Sequence, residues 1–123
     1  VQRFAFKGSP LRLAWSPDGR LLAHGNQDAS IRFWFAATGT DLDMAGYPTK
    51  VRELSWDAGG RFLATGGGPA AVVWDCGTSP EGTKPQVLAD GDGDAPLTAL
   101  SWQRRGFLLA AAGSDGRVVL WQP

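Results

Sequence analysis

Three stretches of the chain repeat one pattern, and this repetition constrains the fold more than any other feature. They run over residues 11–34, 51–74 and 97–121. Each has a Trp near its start and ends on a second Trp, and the two positions are 19, 18 and 19 residues apart. The repeat period is 41 residues and then 46. Each copy is therefore one supersecondary unit, and such units bury their faces only by packing against neighbouring copies.

Within each copy the residues predict three short strands, a, b and c, separated by two tight turns. Residues 11–15 alternate large apolar with smaller or polar side chains, which suits a half-buried strand. The turn that follows reads Ser-Pro-Asp-Gly, in which Pro presets φ and Gly accepts a positive φ. Strands b are predicted at 20–24, 61–65 and 106–111, and strands c at 30–34, 71–74 and 117–121. Short strands in repeats of about 40–45 residues are typical of propeller blades.

A fourth, outer strand d is expected after each strand c. Residues 41–45 and 85–89 fit this role in the first two copies, whereas the third copy has no such segment. Residues 1–6 also read as a strand and precede the first strand a, so we expect them to be the outer strand of a neighbouring or closing blade. The predicted fold is all-β, a single propeller segment over 1–123 with three four-stranded blades at about 11–45, 51–89 and 97–121.

Composition and charge exclude several classes of partner. The chain carries 12 basic and 12 acidic residues, so its charge offers no electrostatic argument for nucleic acid or an anionic membrane. No apolar run approaches the roughly 18 residues needed to span a bilayer. The single Cys rules out an internal disulfide and favours the cytoplasm. We expect no cofactor.

The repeated residues resemble those of the WD-repeat propeller family. The resemblance is carried by the turn at 16–19, by an Asp six residues before the closing Trp in the first and third copies, and by a Trp-Asp dipeptide in the second: Asp28, Asp115, Trp34, Trp74, Asp75 and Trp121. It implies four-stranded blades, usually seven in a ring, closed by an offset N-terminal strand. It also implies a non-catalytic scaffold for protein–protein interaction, with the closing Trp side chains buried at equivalent positions between blades.

The chain departs from the polar network that the resemblance implies inside each blade. In that family a His before strand a joins a b-strand Ser or Thr, the b–c Asp and the c-strand Trp. No copy has that His, and the b-strand position holds His24, Thr65 and Ala111. The second copy also lacks the Asp. We therefore expect no blade to carry a complete network, and we expect Asp28 and Asp115 to accept hydrogen bonds from backbone amides of their own turns.

Candidate catalytic or metal-binding residues are sparse. His24 is the only His, and its position favours a structural role. Cys76, next to an Asp that disfavours the thiolate, is interpreted as an unreactive loop residue. The Gly run at 66–68 fits a blade turn better than a phosphate loop. Residues 90–94 place Asp at alternate positions as a calcium loop does, but Ala95 and Ser101 stand where its Gly and Glu belong. A calcium-binding or enzymatic propeller module, using this loop or the central channel, remains the alternative function.

The family geometry places the d–a segments and the b–c turns on one rim, where we expect partner proteins to bind. That rim gathers Lys7, Gln27, Tyr47, Lys50, Arg52, Thr98 and Ser114. Tyr and Arg are the residue types that most often carry interface energy, so Tyr47 and Arg52 are the first candidates for partner contact. The opposite rim, with the a–b turns and residues 76–84, is the rival site.

Three blades leave open sheet faces at both ends, whereas a propeller depends on closure. Because the chain begins at Val1 rather than Met, we expect the rest of a longer propeller chain to complete the ring. The alternative is a homo-oligomer, in which residues 1–6 of one copy complete the Trp121 sheet of the next.

Overall fold

The chain folds into three antiparallel sheets. In the computed structural model, residues 1–77, 83–89 and 94–123 are described, and these ranges contain eleven strands and no helix. Within the same ranges, no helix is long and apolar enough to cross a membrane. The all-β class predicted from the sequence is confirmed.

Each sheet is one repeat, and its strands follow one another in chain order. The first contains β1 (Pro10–Trp15), β2 (Leu21–Asn26), β3 (Ile31–Phe35) and β4 (Asp41–Met44). The second contains β5 (Glu53–Trp56), β6 (Phe62–Gly66), β7 (Ala71–Asp75) and β8 (Gln86–Leu88). The third contains β9 (Leu97–Trp102), β10 (Leu109–Gly113) and β11 (Val118–Trp121). These are three blades of a propeller, with an outer strand in the first two.

Most predicted strands lie within two residues of the observed ones, but the second strand of the third blade starts later than predicted. It was expected over 106–111 and begins at Leu109. Gly106 has a φ of +111°, which belongs to a turn and not to a strand. Gln103 N donates to the carbonyl of Leu108 at 2.8 Å and closes that turn. The four residues from Arg104 to Phe107 are thereby held outside the ladder.

Residues 1–6 form no strand with the sheets of this chain, and they pack instead on the first blade. The Phe4 ring stacks on Trp34 with centroids 4.7 Å apart, and Phe6 meets His24 edge-on at 5.0 Å. The Arg32 guanidinium lies 4.9 Å from the Phe6 centroid. Their role as the outer strand of a neighbouring or closing blade stays a prediction, because the partner sheet would belong to another blade.

The strand pleat divides the first sheet into two faces. Ala14, Ala23, Phe33 and Leu42 are cross-strand partners and share the face that packs on the second blade. Leu13, Trp15 and Trp34 lie on the other face. Between the first two blades, the buried core consists of Leu21, Ala23, Ile31 and Phe33 against Val51, Leu54, Leu63, Trp74 and Cys76.

The same arrangement recurs between the second and third blades. The buried residues there are Ala64, Ala71, Val73 and Leu88 against Leu97, Trp102, Leu109 and Ala111. Among the closing Trp residues, Trp34 and Trp74 are each 6% exposed. Trp74 lies between the first two blades, as predicted, whereas Trp34 is buried on the first blade's other face, where Phe4 stacks on it. Trp121 is only half-buried, so its predicted burial was wrong. In the described part of the third sheet, no outer strand continues the face on which Trp121 lies.

Each junction is also tied by a hydrogen bond from the Trp at the end of strand a. Trp56 Nε1 donates to the carbonyl of Ala14 at 3.3 Å, and Trp102 Nε1 donates to that of Ser55 at 2.9 Å. Acceptor and donor are 42 and 47 residues apart. The tie therefore holds each blade to the one before it.

We predict that Trp102→Ala lowers the free energy of unfolding by about 3–5 kcal/mol, as large-to-small changes in packed cores do. Trp102 is 9% exposed, packs against Phe107 and supplies the tie to Ser55. The measurement is urea unfolding followed by circular dichroism, with Arg105→Ala in the neighbouring exposed turn as the control. Equal midpoints for the two variants would show that this junction does not stabilise the fold.

Candidate functional site

The segments that lead into the first strands and the second turns of the blades meet on one side of the molecule, here called the loop face. Val51 N donates to the carbonyl of Asn26 at 3.0 Å and so joins the first two blades. Leu97 N donates to that of Gly68 at 2.9 Å and joins the second to the third. The sequence-based placement of both loop sets on one rim agrees with these contacts.

Two glycines let the segment at 50–51 pass between blades. A Cβ on Gly25 would clash with the carbonyl of Val51, and one on Gly67 would clash with the carbonyl of Lys50. Only glycine permits this close backbone approach. The backbone at 50–51 is thus in close contact with a glycine of each neighbouring turn. These contacts fix the backbone that carries the side chains of Lys50 and Arg52.

A depression with charged side chains in its wall, here called the central groove, opens at this position on the loop face and encloses about 430 Å³. Among the described residues, its charged lining has three cations and one carboxylate, from Arg12, Lys50, Arg52 and Glu53. The rest of the wall consists of Leu11, Thr49, Gly67, Pro96, Leu97 and Thr98. All three blades contribute to the groove, and the charged residues in this described part of its lining are net positive.

The structure brings some of the predicted rim residues together and separates the others. Lys50, Arg52 and Thr98 line the central groove. Three exposed residues lie outside its lining, namely Lys7, Gln27 and Ser114. Tyr47 lies elsewhere, in a smaller apolar cavity. Roles in binding remain predictions for all seven.

Sequence reasoning missed two charged residues of the groove, Arg12 and Glu53. They occupy equivalent places in the first strands of the first two copies, 41 residues apart. The innermost strand of a blade borders the propeller axis, so a charged side chain in an otherwise apolar first strand was the signal that could have revealed them.

The apolar cavity, of about 270 Å³, lies beside the junction of the first two blades. Tyr47, Pro48, Trp74, Pro85 and Val87 contribute to its wall, with the turn at 66–70. Tyr47 was predicted to contact a partner, but its hydroxyl is committed inward. Trp74 Nε1 donates to it at 2.7 Å, and it pairs with Thr65 Oγ1 at 2.8 Å. Thr65 Oγ1 also lies 3.0 Å from the carbonyl of Val72, to which it donates.

In the first blade, a different set of residues accepts the hydrogen bond from the indole N–H of the closing Trp. Trp34 Nε1 donates to His24 Nε2 at 2.9 Å, so that nitrogen carries no proton and Nδ1–H donates to Asn26 Oδ1 at 2.6 Å. Asn26 Nδ2 then donates to Ser30 Oγ, whose hydroxyl donates to Asp28. Both ring nitrogens of His24 are thus used inside the blade, in line with the structural role predicted for it.

As expected, no blade carries the family's own network, because no copy has the His before its first strand. The first blade instead connects its closing Trp to Asp28 through three intermediate side chains, and the second pairs its Trp with Tyr47 and Thr65. Asp28 was expected to accept from a backbone amide, whereas the bond seen comes from the Ser30 hydroxyl. Asp115 behaves as predicted, accepting from Arg117 N at 3.1 Å.

Cys76 is a core residue, although it was predicted to be an unreactive loop residue. It is fully buried between the first two blades, and its carbonyl accepts from Arg20 at 2.6 Å. Burial, with a smaller contribution from Asp75, raises the pKa of its thiol to about 12, so the predicted lack of thiolate character is supported. Burial also raises the pKa of Tyr47 to about 12.

The other motifs singled out in the sequence give little chemistry. Of the acidic loop at 90–94, all but Asp94 lies outside the described residues, so the calcium-loop hypothesis is not tested. In the described ranges, no three His, Cys, Asp or Glu side chains come together as metal ligands would. Gly66 ends β6 and residues 67–68 belong to the turn before β7, as the blade-turn interpretation predicted.

Comparison with known proteins gives one matching family model, described as "WD domain, G-beta repeat", over residues 3–34 and 82–122. SEC12-like protein 2 of Arabidopsis thaliana is 36% identical over 73 residues, which is 58% of this chain and 19% of the relative. The probable cytosolic iron-sulfur protein assembly protein 1 of Cryptococcus neoformans is 33% identical over 110 residues, 89% of this chain and 19% of the relative.

Solved structures show the same fold. The RRP9 WD40 repeats superpose with a TM-score of 0.81 at 20% identity, covering 96% of this chain and 36% of theirs. This chain thus spans about a fifth of the length of these two curated relatives and about a third of the solved chain.

We predict that stability falls as the pH rises from about 9 to 12. In the folded chain the pKa values of Cys76 and Tyr47 lie above their ordinary values of 9.0 and 10.0, so the unfolded chain releases these protons first and is favoured as pH rises. The measurement is the urea midpoint at several pH values. Cys76→Ala should reduce the fall in the urea midpoint that begins near pH 9. Tyr47→Phe should reduce the further fall in the midpoint above pH 10. Unchanged slopes in both variants would contradict this assignment.

Proposed function

Because the chain belongs to the WD-repeat family, whose model matches more than half of it, we propose that it is a non-catalytic scaffold that binds other proteins through its loop face. WD-repeat propellers are generally protein-interaction scaffolds, not enzymes. The names of the relatives differ from one another, so the family supports this class of function without naming a partner. The chemical class of the partner is therefore inferred from the residues of the central groove.

The central groove supports an acidic segment of a partner protein as the ligand. Its cationic residues converge from separate elements: Arg12 from β1, and Lys50 and Arg52 from the segment before β5. Glu53 is the one carboxylate that the described residues place in the lining. Complementary charge steers association and sets orientation, so a carboxylate-bearing segment fits this wall better than a basic one.

The scaffold under the groove is suited to holding these groups in place. The segment at 50–52 is fixed by the amides of Val51 and Arg52, which donate to Asn26 and Gly66, and by the close approach of Gly25 and Gly67. Little backbone ordering is therefore needed on binding, and preorganisation of this kind preserves affinity. Arg52, predicted from sequence as a contact residue, is the central residue of this proposal.

We predict that a fluorescein-labelled, Glu-rich peptide of about 12 residues binds the chain more tightly than a Lys-rich peptide of the same length. Fluorescence anisotropy should show binding that weakens as salt is raised, because these charges are exposed and screened. Arg52→Glu should weaken it about tenfold, since a like charge is placed against the ligand.

The matched control is Arg104→Glu, an identical charge reversal in the exposed turn between β9 and β10, at the opposite ends of the strands. It should leave peptide affinity unchanged. Equal binding of the two peptides, or equal losses in the two variants, would refute the central groove as the site.

A further inference from the structure

The apolar cavity opens where the first blade meets the second, and both of these blades belong to the chain. Its wall includes the segment that leaves the first blade, at 45–48, and parts of β7 and β8 in the second. Val87 of β8 pairs with Val72 of β7, so their side chains share one face of the sheet. Val72 packs on the core between the first two blades. The cavity therefore lies between two neighbouring blades and not on an end face of the stack.

The cavity can accept an apolar side chain but offers little to a charged one. Among the described residues, its lining has no charged side chain. The polar groups of Tyr47 and Trp74 are already bonded, to each other and to Thr65. A polar occupant would lose hydrogen bonds with water there, whereas an apolar one would be removed from water at a gain.

The size of the cavity fits one large side chain. It encloses about 270 Å³, whereas roughly 150 Å³ is enough to hold a benzene ring in a protein interior. Its wall is in place without a ligand, because Trp74 is 6% exposed and hydrogen bonds hold the Tyr47 hydroxyl. Val87, in contrast, is 63% exposed, and an occupant of the cavity would cover it.

The apolar cavity and the central groove are neighbours on the loop face. Gly67 contributes to the walls of both. One segment of the chain also borders both, since Tyr47 lines the cavity and Lys50 lines the groove. These residues are three apart in sequence, so their Cα atoms are at most about 11 Å apart. An extended ligand covers that distance with about three or four residues.

We propose that the partner segment bound in the central groove also inserts one large apolar side chain, such as Leu, into the apolar cavity, about three or four residues from its acidic run. This inference rests on the proposed function, which supplies the acidic run, and adds a second requirement at a defined spacing. The cations of the groove attract and orient the segment, and the apolar side chain adds affinity through burial. The partner is thus an acidic segment with an apolar anchor, and an acidic run without the anchor binds less tightly.

Fluorescence anisotropy on the 123-residue chain tests this inference with three fluorescein-labelled peptides. All have the same Glu run flanked by Ser. In two of them a Leu replaces the Ser about three residues before or after the run, so that both chain directions are covered. One Leu peptide should bind about tenfold more tightly than the all-Ser peptide, as expected for burial of a Leu side chain.

The all-Ser peptide separates this inference from the groove proposal. If it binds and Arg52→Glu weakens it, but neither Leu peptide binds more tightly, the apolar anchor is overturned and the groove proposal stands. If no peptide binds, or if Arg52→Glu has no effect, the groove proposal is overturned and the apolar anchor with it.

A pair of charged variants tests whether the Leu occupies the cavity. Val87→Asp places a carboxylate where an inserted Leu would cover it, so it should abolish the advantage of the Leu peptide over the Ser peptide. The comparison cancels the effect of the new carboxylate on the acidic run, because both peptides carry the same run. The matched control is Val118→Asp, at a Val that is 71% exposed on β11 and outside both linings.

The control variant should keep the full advantage of the Leu peptide. Both substituted side chains are exposed, so both variants should retain the circular dichroism spectrum of the unmodified chain. A Leu advantage that survives Val87→Asp, or that is lost equally in Val118→Asp, would overturn the cavity as the site of the anchor.

Discussion

The indole N–H of each closing Trp is the group around which the first two blades are organised. Trp34 and Trp74 are buried where water cannot serve as acceptor, and an unmet donor there costs about 1–3 kcal/mol. The second blade supplies the hydroxyl of Tyr47, from the segment before its first strand. The first blade has Phe6 at the equivalent place, 41 residues earlier, and supplies Nε2 of His24 from its second strand instead.

The use of His24 as acceptor leads, through a chain of hydrogen bonds, to the backbone of the loop face. His24 needs Asn26 for its second nitrogen, and the carbonyl of Asn26 then accepts from Val51 of the next blade. That bond helps to fix the segment carrying Lys50 and Arg52, two of the three cations in the described lining of the central groove. A polar requirement inside one blade thus bears on the position of the proposed binding groove between blades. The hydrogen bond from Trp56 to Ala14 joins the same two blades at the other end of the first strand.

The repeat was enough to predict the sheets, because turn residues and strand alternation are local properties. The network inside the blades could not be predicted, because it depends on which side chains of distant segments meet. Tyr47 looked like an exposed contact residue until Thr65 and Trp74 were seen to bond its hydroxyl. The groove was half predictable. Lys50, Arg52 and Thr98 came from the loop geometry, whereas Arg12 and Glu53 lie within first strands to which no binding role was given.

A double-mutant cycle at positions 6 and 24 tests the central claim most directly. His24→Thr removes the acceptor of Trp34 and should cost about 1–3 kcal/mol of unfolding free energy. Adding Phe6→Tyr recreates the second blade's arrangement and should recover at least half of that loss, although Phe6→Tyr alone, beside an intact His24, gains nothing. The account predicts this coupling between the two positions. Effects that add to within about 0.5 kcal/mol, as independent sites do, would contradict it.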